Sequence, residues 1–196
     1  MHLIDTDGKG VERIDETGVW VCEEHSELDL LIYAAGFEVG TPLERRTGFD
    51  PVGRHGITLS EHWSEGMRSL HGIHAHNFPN AFIVSPAQGA NLISNVPHNL
   101  TESGSTIAAI IAHAEEIGAE EIEVTADAED DWVEMLRAGG RSFGADPTCT
   151  PGYYNNEGAE TPQAWLGLGY PDGPVAYFQY IKAWRESGDF AGLDFR

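Results

Sequence analysis

Lysine is almost missing from this chain: Lys9 and Lys182 are its two in 196 residues, and 11 basic residues stand against 32 acidic ones for a formal charge of -21. A surface of that sign repels polyanions, which excludes nucleic acid and anionic membranes as partners. Cysteine is as scarce. Cys22 and Cys149 lie far apart with no C-x-x-C, so neither a zinc ribbon nor a disulfide framework is built from them, and two reduced thiols of a cytoplasmic protein are expected. No apolar run approaches the roughly 20 residues of a membrane span, and the polar residues that follow His2 show no signal peptide, so the protein is expected to be soluble and intracellular. Gly-x-Ser-x-Gly is absent and no Ser or His shows triad-like spacing, which removes nucleophilic hydrolysis. Also missing is Gly-x-Gly-x-x-Gly, the turn that seats a dinucleotide's pyrophosphate on a helix N-terminus; Gly8-Lys9-Gly10 runs on into Val11-Glu12-Arg13 and fails the pattern.

What is present reads as an α/β chain. A domain of this length buries roughly 70% of its unfolded surface. Short apolar stretches at 3–5, 11–14 and 19–22, separated by turn residues, predict a strand meander. Residues 28–37, LDLLIYAAGF, are apolar on both faces after Asp29 and stop at Gly36, so they predict a buried core strand of a parallel sheet. Residues 82–84 predict a second core strand, its carboxyl end opening on a ligand crevice. The segment between them carries Pro42 and Pro51 with little periodicity and predicts a loop over the sheet, with a short strand near 57–59 that could pair with 70–75.

Helices follow. Val96, Leu100, Ile107, Ile110, Ile111, Ala114 and Ile117 recur every three or four residues, predicting a long helix that starts near Ser94 or Asn95 with Pro97 in its first turn and Gly104 as its weak point. A short extended segment at 121–125 leads to a helix over 126–138, ended by Gly139. Residues 140–171 predict an irregular loop. Pro174 opens a last helix that ends at Gly188.

Two blocks carry a resemblance. An Asp, an apolar strand and Ala34-Ala35-Gly36-Phe37, followed by Phe78-Pro79-Asn80-Ala81-Phe82-Ile83-Val84 with Pro86, Gln88 and Ser94-Asn95, resemble the carboxy-terminal part of flavin-dependent monooxygenases of the Baeyer–Villiger type. Gly152-Tyr153-Tyr154-Asn155-Asn156 and the aromatic run at 175–180 extend the resemblance over nearly the whole chain. The family's amino-terminal nucleotide turns and its Phe-x-Gly-x-x-x-His fingerprint are absent, and Ala35 stands where the family has Thr.

The resemblance implies the carboxy-terminal part of a FAD/NAD(P)-binding Rossmann-like domain over residues 1–117 and a helical, loop-rich extension over 118–196. It also implies FAD and NADPH as cofactors and a small-molecule ketone or heteroatom as substrate. Alternatively the chain is an inactive fragment, or a non-catalytic subunit that needs a separate amino-terminal FAD-binding partner. The cofactor neighbourhood it implies comprises Ala35 and Gly36, then Gln88, Asn91, Asn95 and Val96 on the loop and helix start, then Tyr153 and Asn156 over the nicotinamide. No catalytic residue carries over. Separately, His71, His74 and His76 form H-x-x-H-x-H, which on a strand would aim His74 and His76 to one face; a polar strand is the reading preferred over a metal site.

Overall fold

The computed structural model describes residues 3–34, 43–85, 87–91, 94–139 and 168–196. The chain divides into two compact units, residues 1–37 and 38–196.

The first unit holds an antiparallel meander of β1 (Arg13–Asp15), β2 (Gly18–Val21) and β3 (Glu24–Glu27). Two-residue loops join the strands, and the register sets Arg13 opposite Trp20 and Trp20 opposite His25. The Arg13 guanidinium carbon lies 4.4 Å from the Trp20 ring centroid and the His25 ring 4.8 Å from it, a cross-strand stack of the kind that stabilises exposed sheet faces. Asp15 closes the first loop by accepting hydrogen bonds from Trp20 Nε1, Thr17 N, Thr17 Oγ1 and Gly18 N. Those bonds, Trp20's foremost, hold its carboxyl well below the usual range.

Immediately after β3 the expected core strand is not formed. Residues 28–34 have no strand partner, and Leu30, Ile32 and Tyr33 are 75%, 76% and 76% exposed. A strand apolar on both faces needs neighbours on both edges and both faces, and none of the described residues supplies them. The second expected core strand fails in the same way: residues 81–85 join no sheet, and Val84 is 59% exposed.

The second unit begins with α1 (Leu43–Thr47) and α2 (Leu59–His62). Instead of a strand at 57–59 there is an isolated bridge from Val52 to Thr58, and Thr58 caps α2 through a reciprocal capping box with Glu61. Helix α3 (Val96–Ile117) is capped by Asn95, whose side chain accepts from His98 N, and is stopped by left-handed Gly118. Gly118 N and Ala119 N both reach back to the Ala114 carbonyl, satisfying the last turn. The following strand, β4 (Ile122–Val124), pairs antiparallel with β5 (Leu193–Phe195). Helix α4 (Ala126–Gly139) lies between α3 and α5 (Pro174–Ser187) in sequence.

These elements share one core in which Ile110, Ala114, Val124, Trp132, Leu136, Tyr177, Ile181 and Trp184 are buried together with Leu70 and Ala90. A smaller cluster gathers Leu59, Ala75 and Phe78.

Gly104 does not break α3. It is exposed, and a Cβ built on it meets nothing within 4 Å. Gly104→Ala should therefore stabilise the chain by about 1 kcal/mol, the helix-interior difference between the two residues. Urea unfolding followed by tryptophan fluorescence reads this, and an unchanged midpoint would place the helix's weak point elsewhere.

Candidate cofactor loop and helix start

The loop before α3 is not a solvent-facing cradle. Ala87, Gln88, Ala90 and Asn91 are each at most 3% exposed, and Gln88 and Asn91 take positive φ of 57° and 58°. Gln88 spends its amide internally: Oε1 accepts from Ser69 Oγ at 2.5 Å, Nε2 donates to the Met67 carbonyl at 2.5 Å, and its own carbonyl accepts from Trp132 Nε1 at 3.1 Å. The turn is thus tied to residues 67–72 and to α4. Gly72 makes this contact possible, since at φ 75° a Cβ there would sit 2.3 Å from the Ala87 carbonyl oxygen. Gly89 is tied from the other side. Its carbonyl accepts from Tyr170 N, and a Cβ on it would meet the Tyr177 ring at 2.7 Å.

Asn91 is buried, and its carbonyl accepts from Ser94 Oγ and Ser94 N. Asn95 and Val96 open the helix. With Pro97 lacking a donor and His98 N bonded to Asn95 Oδ1 at 3.1 Å, the Val96 N–H is the first-turn donor with no partner among the described residues. One turn on, Asn99 is 1% exposed and its Nδ2 donor has no partner among the described residues. Neither donor was legible beforehand, because which helix-start amides remain free depends on how the cap is used. The expected residues Ala35, Gly36, Tyr153 and Asn156 lie outside the described residues.

The histidine motif is not on a strand. His71 and Gly72, at φ 59° and 75°, form a tight turn closed by Ile73 N donating to the Leu70 carbonyl. His71 and His74 are 2% and 3% exposed, whereas His76 Nδ1 pairs with the Val124 carbonyl. Burial pushes His71 down to about 3, with His74's charge adding to the effect, and pushes His74 down to about 4. His71 packs against Trp132 and Trp184 at 4.7 Å and its Nε2 meets Tyr180 OH at 3.1 Å. Among the described residues no group of three His, Cys, Asp or Glu is placed to hold a metal, and no helix is long and apolar enough to cross a membrane.

Sequence reasoning missed a buried carboxylate. Glu129, 2% exposed on α4, faces His62 Nε2 at 3.0 Å and Arg68 Nε at 3.4 Å and accepts from His76 N at 2.9 Å. Nothing in its local pattern sets it apart from the acidic residues around it.

No family model matches the chain. Individual proteins do. It is 42% identical to neopentalenolactone D synthase of Streptomyces avermitilis over 99% of its own length and 33% of that protein's, and 40% identical to an FAD-binding monooxygenase of Hypomyces subiculosus over 98% and 32%. A Baeyer–Villiger monooxygenase of Dietzia sp. is 35% identical over 95% and 30%. The polycyclic ketone monooxygenase from Thermothelomyces thermophila superposes with a TM-score of 0.84 at 29% identity, covering 100% of this chain and 32% of that one. The chain corresponds to the carboxy-terminal part of Baeyer–Villiger-type flavin monooxygenases. Steroid monooxygenase bound to NADP follows with a TM-score of 0.75 at 27% identity, covering 99% and 35%. The chain spans about a third of the length of the relatives it matches.

Proposed function

We propose that this chain supplies the flavin-ring side of a FAD- and NADPH-dependent Baeyer–Villiger-type oxidation of a small-molecule ketone or heteroatom, working with an amino-terminal FAD-binding portion in a cytoplasmic setting. The observation that carries the reading is the match over 98% of the chain to an FAD-binding monooxygenase. On this reading residues 1–117 complete a Rossmann-like flavin domain and residues 118–196 form its extension, although side chains from both sides of that boundary share one core.

The residues present fit one part of the cofactor and not another. With two lysines and no Gly-x-Gly-x-x-Gly, the chain offers no cradle for the pyrophosphate. At the start of α3 the Val96 N–H and the buried Asn99 Nδ2, both without a partner among the described residues, and the positive helix end suit the electron-rich edge of a flat ring. Bound there, the flavin supplies the redox chemistry, and this chain's part is to bind, orient and exclude water. Gln88 acts by fixing the loop, Asn91 by shaping its turn, Asn95 by setting the helix start and Val96 by its backbone donor. Ala35 and Gly36 are assigned to close approach of the cofactor, and Tyr153 and Asn156 to the nicotinamide.

An alternative reading, a non-catalytic subunit that needs a separate FAD-binding partner, is favoured by the same missing cradle. Both readings expect the purified chain alone to show no flavin absorbance and the chain paired with the amino-terminal portion of the Streptomyces avermitilis relative to retain FAD. Asn95→Asp keeps the cap, since Asp and Asn cap equally well, yet sets a negative charge beside a reduced, anionic ring. It should weaken retention by a factor of a few, on the scale of about 0.3–1 kcal/mol for a charge at a helix end. Ala112→Asp, on the exposed face of α3, should not. Equal flavin content and potential in Asn95→Asp and the parent complex removes this loop from the site, and turnover of a ketone by the complex separates the catalytic reading from the binding-subunit one.

A further inference from the structure

Two aromatic donors on α4 and α5 reach across the core to the loop that leads into α3. Trp132, 5% exposed, donates from Nε1 to the Gln88 carbonyl at 3.1 Å. Tyr177, 2% exposed, sets its ring against Gly89, where a Cβ would lie 2.7 Å from Cζ and 2.9 Å from the hydroxyl. That hydroxyl donates to the His71 carbonyl at 2.9 Å. The two side chains thus hold both of the segments that the Gln88 amide ties together through Ser69 and Met67.

The Trp132 bond acts on the backbone as well as on packing. Gln88 has φ 57°, a sign that residues other than glycine adopt uncommonly. Rotation about its N–Cα bond to a negative φ would turn its own carbonyl off the indole and leave a buried N–H unpaired, so the indole selects the positive-φ form. Such a conformation persists only where its surroundings over-determine it. From Gln88 the constraint passes along the loop. The Gly89 carbonyl accepts from Tyr170 N, the Asn91 carbonyl accepts from Ser94 N and Oγ, and the next residue, Asn95, caps α3 through His98 N. The aim of the Val96 N–H at the helix start therefore depends on donors from α4 and α5.

We infer that Trp132 and Tyr177 are positioning residues for the flavin chemistry: their side-chain donors fix the 88–91 loop and thereby aim the first-turn N–H of α3 at the ring. Both act through the loop. The inference rests on the reading that this helix start meets the flavin.

The chain paired with the amino-terminal portion of the Streptomyces avermitilis relative tests it through the midpoint potential of the bound flavin, which a general loosening of the core does not move. Tyr177→Phe keeps the ring and removes the donor to His71, and Trp132→Phe removes the donor to Gln88. Each should bind reduced, anionic flavin about fivefold more weakly than the parent, the upper end for a charge at a helix end, with oxidised flavin little affected. That lowers the two-electron potential by about 20 mV. Ile181→Val, a core change one turn beyond Tyr177 on α5, should lower the urea midpoint and leave the potential where it is. Tyr177→Phe decides alone if Trp132→Phe does not fold. An unmoved potential in a folded variant overturns the assignment of that residue while the flavin reading stands, and an equal fall in Ile181→Val overturns both assignments. A parent complex that holds no flavin overturns the flavin reading and takes this inference with it.

Discussion

Glu129→Ala is expected to destabilise the chain by about 3 kcal/mol, the low end of the cost of removing one partner from a buried ion pair, because Arg68 is partly exposed and keeps Asp130 as a second partner. The carboxylate is 2% exposed and gathers His62 from α2, Arg68 and the backbone of His76 onto α4. Removing a negative charge from a protein of charge -21 relieves general repulsion, which by itself favours the folded state. That relief is spread over the surface and screened beyond about 10 Å, so the local loss wins and the sign is unfavourable. Glu129→Gln keeps the shape and can still accept from His76 N, so about 1–3 kcal/mol should be lost. Glu134→Ala, an exposed acidic position on the same helix, should fall within about 0.5 kcal/mol of the parent. Urea titrations of the three variants decide the ranking. Equal effects of Glu129→Ala and Glu134→Ala would show that the buried cluster contributes nothing beyond general charge.

The helices were legible because their signals are local. Asn95, Pro97 and Gly118 bound α3, and Pro174 and Gly188 bound α5, each acting within a turn of its own position. The meander was legible in part, since turn residues punctuate it: β1 and β2 lie within a residue or two of the expected 11–14 and 19–22, whereas no strand forms at 3–5 and β3 was not anticipated. The core strands were not legible correctly. An apolar run such as 28–34 reports that a sheet wants it, but the backbone partners that make it a strand come from elsewhere, and the described residues leave it exposed. β5 was missed because three residues carry no period.

At the candidate site the loop and helix start could be located but not resolved. A sequence shows that Gln88 and Asn91 follow an apolar segment, while the structure shows that the Gln88 amide is consumed by Ser69 and Met67, a contact 19 to 21 residues away. Similarly, H-x-x-H-x-H reads as ligand spacing only if the segment is a strand. His71-Gly72 at positive φ makes it a turn and sends the first two imidazoles into the aromatic core.

Those two imidazoles make the chain acid-sensitive in a definite window. His71 and His74 are held neutral, at about 3 and about 4, by burial. Among the described residues His71 Nδ1 and His74 Nε2 have no hydrogen-bond partner that could share a proton's charge. Around them stand Trp132, Trp184, Tyr180 and Phe82, none of them anionic near neutral pH. Unfolded, each imidazole titrates near about 6.5. Above that pH neither state takes up a proton, so the full stability is present. Below it the unfolded chain binds protons that the folded chain refuses, and stability falls until the folded values are passed. Each histidine contributes about 1.4 kcal/mol per pH unit through that range, so by pH ~4.5 the pair costs about 5 kcal/mol, comparable with the whole stability of many domains. The carboxylates held low, Asp15, Glu61, Glu123 and Asp189, act in a different window. Their folded values lie below their unfolded ones, so their contribution is present above about pH 4 and lost only as the pH falls further. Urea unfolding at pH ~7.5, ~6.5, ~5.5 and ~4.5 should show a flat stability followed by a steep fall of about 2.7 kcal/mol per unit when both histidines titrate. In His74→Leu the slope between pH ~6.5 and ~4.5 should be close to half that of the parent, because one proton uptake has been removed. Parallel pH profiles for parent and variant would mean that the buried imidazoles are not what acid attacks.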